Sequence, residues 1–218
     1  YFIQHRREDV GKRSLLAKLY RFYWLSVMDY GLHLQILFLE RMLRSRRMIQ
    51  FAFRRIVPTF LIRKWKVTDI SSSMLVMKHE AFRHIEIELF VPRDQLADAL
   101  RFTQEVIKVA AGKEATLSAD NHQRIDDIGM QEALDGLQDQ YCHHYPICVR
   151  RVLPDDTLIS MASGGNQDWY AVSFISYAKP AQRAGFSLFS SFMARSMSQL
   201  FQARPHWGKI CPLEANEL

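Results

Sequence analysis

Apolar residues recur at three- and four-residue steps from Ser14 to about Phe60, first through Leu15, Leu16, Leu19, Phe22, Tyr23 and Val27, then through Leu34, Leu37 and Phe38. That period predicts helices. Gly31 is expected to divide them and Pro58 to break them again. The period then changes to two. Ser73–Lys78 reads as a strand. In Ile85–Val91, Ile85, Ile87, Leu89 and Val91 alternate with Glu86 and Glu88, which predicts a strand with one dry face and one wet face carrying both carboxylates. Pro92 stops this strand and opens a helix from about Arg93 to Ala111. Its stripe is Leu96, Leu100, Val106, Ile107 and Ala110, and Gly112 caps its end.

Residues 113–129 are polar and are expected to form a loop, followed by a short helix near Met130–Tyr141. Pro146–Leu153 reads as a strand and Pro154-Asp155-Asp156 as a turn. Leu158–Met161 and Trp169–Tyr177 are expected strands on either side of a Gly164-Gly165-Asn166 loop. Ala184–Gln202 is an amphipathic helix through Phe189, Phe192, Met193, Met197, Leu200 and Phe201. Leading helices followed by β-β-α-(α)-β-β-β-α give an α+β fold, with a mainly antiparallel sheet flanked by helices.

The chain has 218 residues, of which 48% are hydrophobic and 24% charged. It can bury a core without disulfides or metals, and collagen-like or disordered classes are excluded. The net charge of +6 is uneven. Residues 1–70 hold 15 of the 29 Lys and Arg but only 5 of the 23 Asp and Glu, a net +10, which leaves the remainder at −4. A basic helical segment, 1–66, thus leads into an α+β domain, 67–218. The basic segment reads as a solvated helical face, as a cover for a further domain, or as a membrane-surface helix with Trp24, Phe22, Phe38 and Phe51 at the interface. Charge clustered in this way, without a recognition motif, argues against a nucleic-acid partner. No apolar run reaches the 18 residues of a transmembrane helix. Cys142, Cys148 and Cys211 form no even framework and point to a reducing, cytoplasmic setting. The start at Tyr1, without Met or leader, suggests a part of a longer polypeptide.

Two places carry chemistry. Arg150 lies mid-strand, sharing a face with Cys148 and Val152, while Arg151 shares the other with Ile147 and Val149. Burying either arginine requires a partner. Arg150 is either a solvated edge-strand residue or an anion contact. Arg204-Pro205-His206-Trp207-Gly208-Lys209 is the densest group of reactive side chains. It is either a loop around a buried Trp or a proton-exchanging His beside a point-charge Lys. Cys142, His143, His144 and Cys148 fit no standard zinc spacing, so no metal is expected. Neither a dinucleotide nor a P-loop fingerprint, nor a nucleophile elbow, occurs.

Four blocks, in order, carry a resemblance: EIELFVP at Glu86–Pro92 with its following helix, YPICVRRV at Tyr145–Val152, DDTLIS at Asp155–Ser160, and RPHWGK at Arg204–Lys209. With them the chain resembles the C-terminal half of the aldonolactone oxidases, FAD-linked flavoproteins of the vanillyl-alcohol oxidase type. The group includes the L-gulonolactone, D-arabinono-1,4-lactone and alditol oxidases. The resemblance implies a cap domain over a flavin held by an upstream FAD-binding domain, and oxidation of a CH–OH group of a sugar lactone or polyol by hydride transfer. It places Arg150 and Lys209 at the reacting end of the flavin as catalytic and cofactor-binding residues. His206 is implied at flavin and substrate, with Cys148 and Ser173 lining the substrate pocket. A fixed cation about 4 Å from developing negative charge contributes roughly 4 kcal/mol at an effective dielectric near 20, on the order of 90 mV for a two-electron couple. The family's Glu two residues before the strand Arg is Cys148 here, so the carboxylate that could pair with Arg150 is expected to be lost.

Overall fold

The computed structural model describes residues 2–3, 15–38, 48, 51–60, 66–67, 84–112, 116–143, 145–177 and 180–214. The expected strand Ser73–Lys78 lies outside them. The chain divides into two compact units, Tyr1–Arg83 and His84–Leu218.

In the first unit, strand β1 (Phe2–Ile3) pairs in parallel with β2 (Lys66–Val67). Helix α1 (Leu15–Tyr23) runs into a π-helical stretch, Trp24–Gly31, and then into α2 (Leu32–Phe38). Gly31 therefore does not split two helices. It closes a widened turn in which an added Cβ would stand 3.0 Å from the Ser26 carbonyl oxygen. Pro58 does not break the next helical stretch either. A second π-helical segment, Ala52–Ile56, continues into α3 (Val57–Phe60), so Pro58 stands inside a continuous helical run, where its missing N–H leaves one intrahelical bond unmade without ending the helix. Ala17, Tyr20 and Val67 form a small cluster with Trp24 against it, while Leu15, Leu19 and Phe22 face outward.

The second unit is a helical layer on a four-stranded sheet. Its elements are β3 (His84–Pro92), α4 (Leu96–Ala110), α5 (Ala119–Asp127), α6 (Gln131–Leu137), β4 (Cys148–Val152), β5 (Trp169–Tyr177), α7 (Pro180–Phe201) and β6 (Arg204–Pro205). The strand order is β4-β5-β3-β6, and every pairing is antiparallel. The α+β fold expected from the hydrophobic periods is the one formed. Ile87, Leu89 and Val91 of β3 and Val172 and Phe174 of β5 face the helices. There they meet Phe102 and Val106 of α4, and Phe186, Phe189, Met193, Met197 and Phe201 of α7, all buried.

Two expectations fail for physical reasons. The polar stretch 113–129 holds α5. Its Ser118 N-cap accepts from the Asn121 N–H, and Glu105 of α4 accepts from Ser118 N–H, Ser118 Oγ and Asn121 Nδ2. Capping and one buried apolar residue, Ile125, suffice for a helix with almost no stripe. Leu158–Met161 is not a strand but a turn: Leu158 and Ile159 are 99% and 81% exposed and face no pairing partner. Glycine is required at two places. Gly112 ends α4 at φ +65°, and at Gly185 in α7 a Cβ would stand 2.3 Å from the Gln140 carbonyl oxygen.

Candidate active site

Directly opposed strand residues share a face of the sheet. Glu88, Ser173 and Cys148 stand in one row across β3, β5 and β4, and Phe90, Ala171 and Arg150 stand in the next. This face is opposite the helical core. In these two rows the β5 residues, Ala171 and Ser173, are small. Arg150 can therefore lie across β5 and reach β3, two strand spacings or about 9.6 Å away. Its Nη2 donates to Glu88 Oε1, and Ser173 Oγ donates to the same oxygen at 2.8 Å. Glu88 is 2% exposed, whereas the Arg150 side chain is 62% exposed. The hydrogen bond it donates to Glu88 is the main reason that the Arg150 guanidinium is held above its ordinary pKa.

This burial overturns two expectations. Period two placed Glu88 on a wet face, but the arginine and the 206–210 turn cover that face. Cys148 was expected to mark a lost carboxylate. The structure supplies one to Arg150 from β3, on the far side of β5. Sequence reasoning missed Glu88 and Glu86 as site residues. The available signal was an arginine needing a partner and two carboxylates of one parity in a strand of the same family pattern.

The segment after α7 is shaped by β3. The His206 N–H donates to the Glu88 carbonyl at 2.9 Å and the Ile210 N–H to the Glu86 carbonyl at 3.1 Å. Two steps along β3 are thus matched by four along the partner, and the surplus folds into a turn in which the Lys209 N–H donates to the His206 carbonyl. Gly208 fits the turn because its N–H donates to His206 Nδ1 at 2.9 Å, and a Cβ would crowd the His206 ring at 3.2 Å. The turn carries Lys209 Nζ back to Glu86 Oε2 at 2.7 Å and brings His206 Nε2 to 4.0 Å from Glu88 Oε2. Trp207, at its tip, is 55% exposed and is not the buried anchor of a structural loop.

Arg150 and Lys209, from a strand and a turn 59 positions apart in the chain, therefore converge on two carboxylates of one strand face. The four charges balance, so the face presents an ordered set of dipoles rather than bare cations. Cys148 sits exposed at the edge. Desolvation raises its thiol pKa, Arg150 pulls it down, and Glu86 and Glu88 push it up. Arg151, on the other face, pairs with Asp168 at 2.8 Å, so both strand arginines find partners. The remaining blocks are structural. The Asp155 carboxylate accepts from the Thr157 N–H at 2.9 Å and from Ser160 Oγ, and Arg204 stacks on Trp169 while donating to the Ser163 carbonyl at 2.6 Å. They close the loop between β4 and β5 over Phe90, Ala162, Trp169 and Ala171. No group of three metal-capable side chains occurs among the described residues.

Comparison with known proteins places this geometry in context. The family model described as D-arabinono-1,4-lactone oxidase matches residues 13–218. A long-chain alcohol oxidase from an uncultured marine euryarchaeote is 79% identical over all 218 residues, and the chain spans 46% of that relative's length. No solved structure matches. The chain belongs to the D-arabinono-1,4-lactone oxidase family.

Proposed function

We propose that the chain is the substrate-side cap of an FAD-dependent oxidoreductase that oxidises a CH–OH group. In this reading the FAD-binding domain lies upstream in the same polypeptide. The observation that carries the proposal is the convergence of Arg150 and Lys209 over one sheet face, each oriented by its own carboxylate.

The donor set suits FAD. Arg150 and Lys209 are 62% and 35% exposed and offer N–H groups beyond those spent on Glu88 and Glu86, while Ser173, Cys148 and His206 add a hydroxyl, a thiol and an imidazole beside the apolar Phe90 and Ala171. Bound there, FAD supplies the hydride acceptor. The chain's own residues do the rest. Arg150 and Lys209 hold positive charge where negative charge develops, with little reorganisation because their carboxylates fix them beforehand. The same carboxylates reduce the net field, exchanging some stabilisation for aim. His206 Nδ1 accepts from the Gly208 N–H, so the neutral ring carries its proton on Nε2 and can donate to a substrate oxygen. Ser173 and Cys148 line the same row.

The family name specifies a sugar lactone and the relative's name a long-chain alcohol. A face of charged, hydroxyl and imidazole groups favours a hydroxyl-rich lactone or polyol. The test is anaerobic mixing of the whole flavin-loaded polypeptide with D-arabinono-1,4-lactone and, separately, with a long-chain primary alcohol. Bleaching of the flavin band by the lactone supports the reading, bleaching by the alcohol alone reassigns the substrate, and bleaching by neither removes it.

One observation favours a second reading, a non-catalytic membrane-surface or interaction module. Leu15, Leu19 and Phe22 are exposed at 74%, 50% and 68% beside Lys18 and Arg21. No helix among the described residues is long and apolar enough to cross a membrane. Flotation with anionic liposomes that fails at high salt would support surface binding.

A further inference from the structure

Arg150 has a carboxylate partner even though Cys148 removes the one expected from its own strand. We propose that Glu88 is the positioning residue of this site: a buried carboxylate on β3 that fixes Arg150 across β5 and remains as its anion where position 148 is a cysteine. The inference rests on the oxidoreductase reading above.

Three observations support it. Glu88 is 2% exposed, so it lies beneath Arg150 rather than beside it in water. Its Oε1 takes both the guanidinium and the Ser173 hydroxyl, which leaves Oε2 facing His206 Nε2 at 4.0 Å. One carboxylate thus sits under two of the face's polar side chains. Cys148, Ser173 and Glu88 also occupy one row of the sheet. A carboxylate at either end of that row meets the same arginine, since position 148 shares the face of Arg150 two residues on. The negative charge can stand on β4 or on β3 and still lie within reach of the guanidinium. Loss of the carboxylate at 148 is therefore compatible with retained turnover.

The test uses Glu88→Gln, Cys148→Glu and their combination in the whole flavin-loaded polypeptide. Turnover of D-arabinono-1,4-lactone, or of a long-chain primary alcohol if that is the substrate, is normalised to bound flavin. Glu88→Gln is expected to lower it about 100-fold, the scale of a misplaced catalytic group. It is also expected to shift the flavin potential upward, because an anion has left the face. Adding Cys148→Glu to Glu88→Gln is expected to bring turnover back to within about tenfold of wild type and to return the potential.

A readout independent of turnover is modification of Arg150 by phenylglyoxal, followed by peptide mass. It is slow in wild type, faster in Glu88→Gln, and slow again in the double variant. Turnover within threefold of wild type in Glu88→Gln, an unmoved potential, or a double variant no better than the single one overturns the proposal. Equal phenylglyoxal rates in all variants do the same. A wild-type protein that binds no flavin and oxidises neither compound sinks the oxidoreductase reading instead, while the phenylglyoxal series still decides whether Glu88 fixes Arg150.

Discussion

Lys209→Met isolates one charge of the site. The lysine ammonium rests 2.7 Å from Glu86 Oε2, with the side chains 35% and 10% exposed. An ion pair this open contributes about 0.5–1 kcal/mol to stability, so the variant keeps its fold. Its effect on the flavin is larger. Removing a unit charge between about 4 and 8 Å from the reacting ring costs roughly 4 to 2 kcal/mol at an effective dielectric near 20. For a two-electron couple that corresponds to about 90 to 45 mV. The sign is fixed: Met leaves Glu86 without its cation, the face turns more negative, and the flavin becomes harder to reduce. An equilibrium titration against a reference dye in the whole polypeptide measures the midpoint potential. A fall of tens of mV, with the melting temperature nearly unchanged, is the expected result. A potential that stays in place or rises refutes the assignment of Lys209 to the flavin, whatever happens to turnover.

Further predictions concern the thiol, a helix cap and a tight contact. Although Cys148 lies at an exposed edge, partial desolvation by its neighbours holds its thiol above the ordinary pKa, so iodoacetamide at mildly alkaline pH should alkylate it more slowly than a cysteine in an unstructured peptide. Arg150→Met should slow it further; a rate equal to or above the peptide's would contradict this electrostatic picture. Partial burial pushes the Glu105 carboxyl up, but hydrogen bonds from Asn121 and Ser118 outweigh it and hold the pKa below the usual 4.5. Its stabilisation is therefore present above the unfolded carboxylate's pKa and lost as pH falls through the lowered folded value. Glu105→Gln should cost about 1 kcal/mol at neutral pH, with the gap to wild type closing in acid; a gap that persists in acid denies the linkage. Gly185→Ala forces a Cβ against the Gln140 carbonyl oxygen and should cost about 2–3 kcal/mol, visible as a melting temperature lowered by roughly 6–12 °C.

Much of the second unit could be read from its periods. Ile85 to Val91 and the stripe of α7 fix a strand and a helix because each buries one face of a regular element. Their burial follows the pattern to the residue at Ile87, Leu89, Phe189 and Met197. The failures have a common cause: a period reports sidedness, not what covers each side. Leu158 and Ile159 look like strand residues, but their loop offers no edge to pair with. Glu88 looks solvated because no local pattern shows that an arginine 62 positions later will lie over it. Helix α5 is held by Glu105, Ser118 and Asn121 rather than by a stripe, so its hydrophobic pattern carried no sign of it. Arg150 and the Arg204–Lys209 segment stood out by their chemistry, and the family resemblance assigned Arg150 and Lys209 to the flavin. The carboxylates that aim them became visible only once β3, β4 and the turn after α7 were side by side.

The central claim is that Arg150, drawn across β5 by Glu88, serves oxidation of an alcohol carbon. The measurement that tests it most directly is the rate of anaerobic flavin reduction by saturating substrate in wild type and in Arg150→Met, both flavin-loaded. Loss of a preorganised charge donor predicts a rate lower by about 100- to 1,000-fold. A variant that reduces its flavin within threefold of wild type would show that the guanidinium takes no part in the reaction.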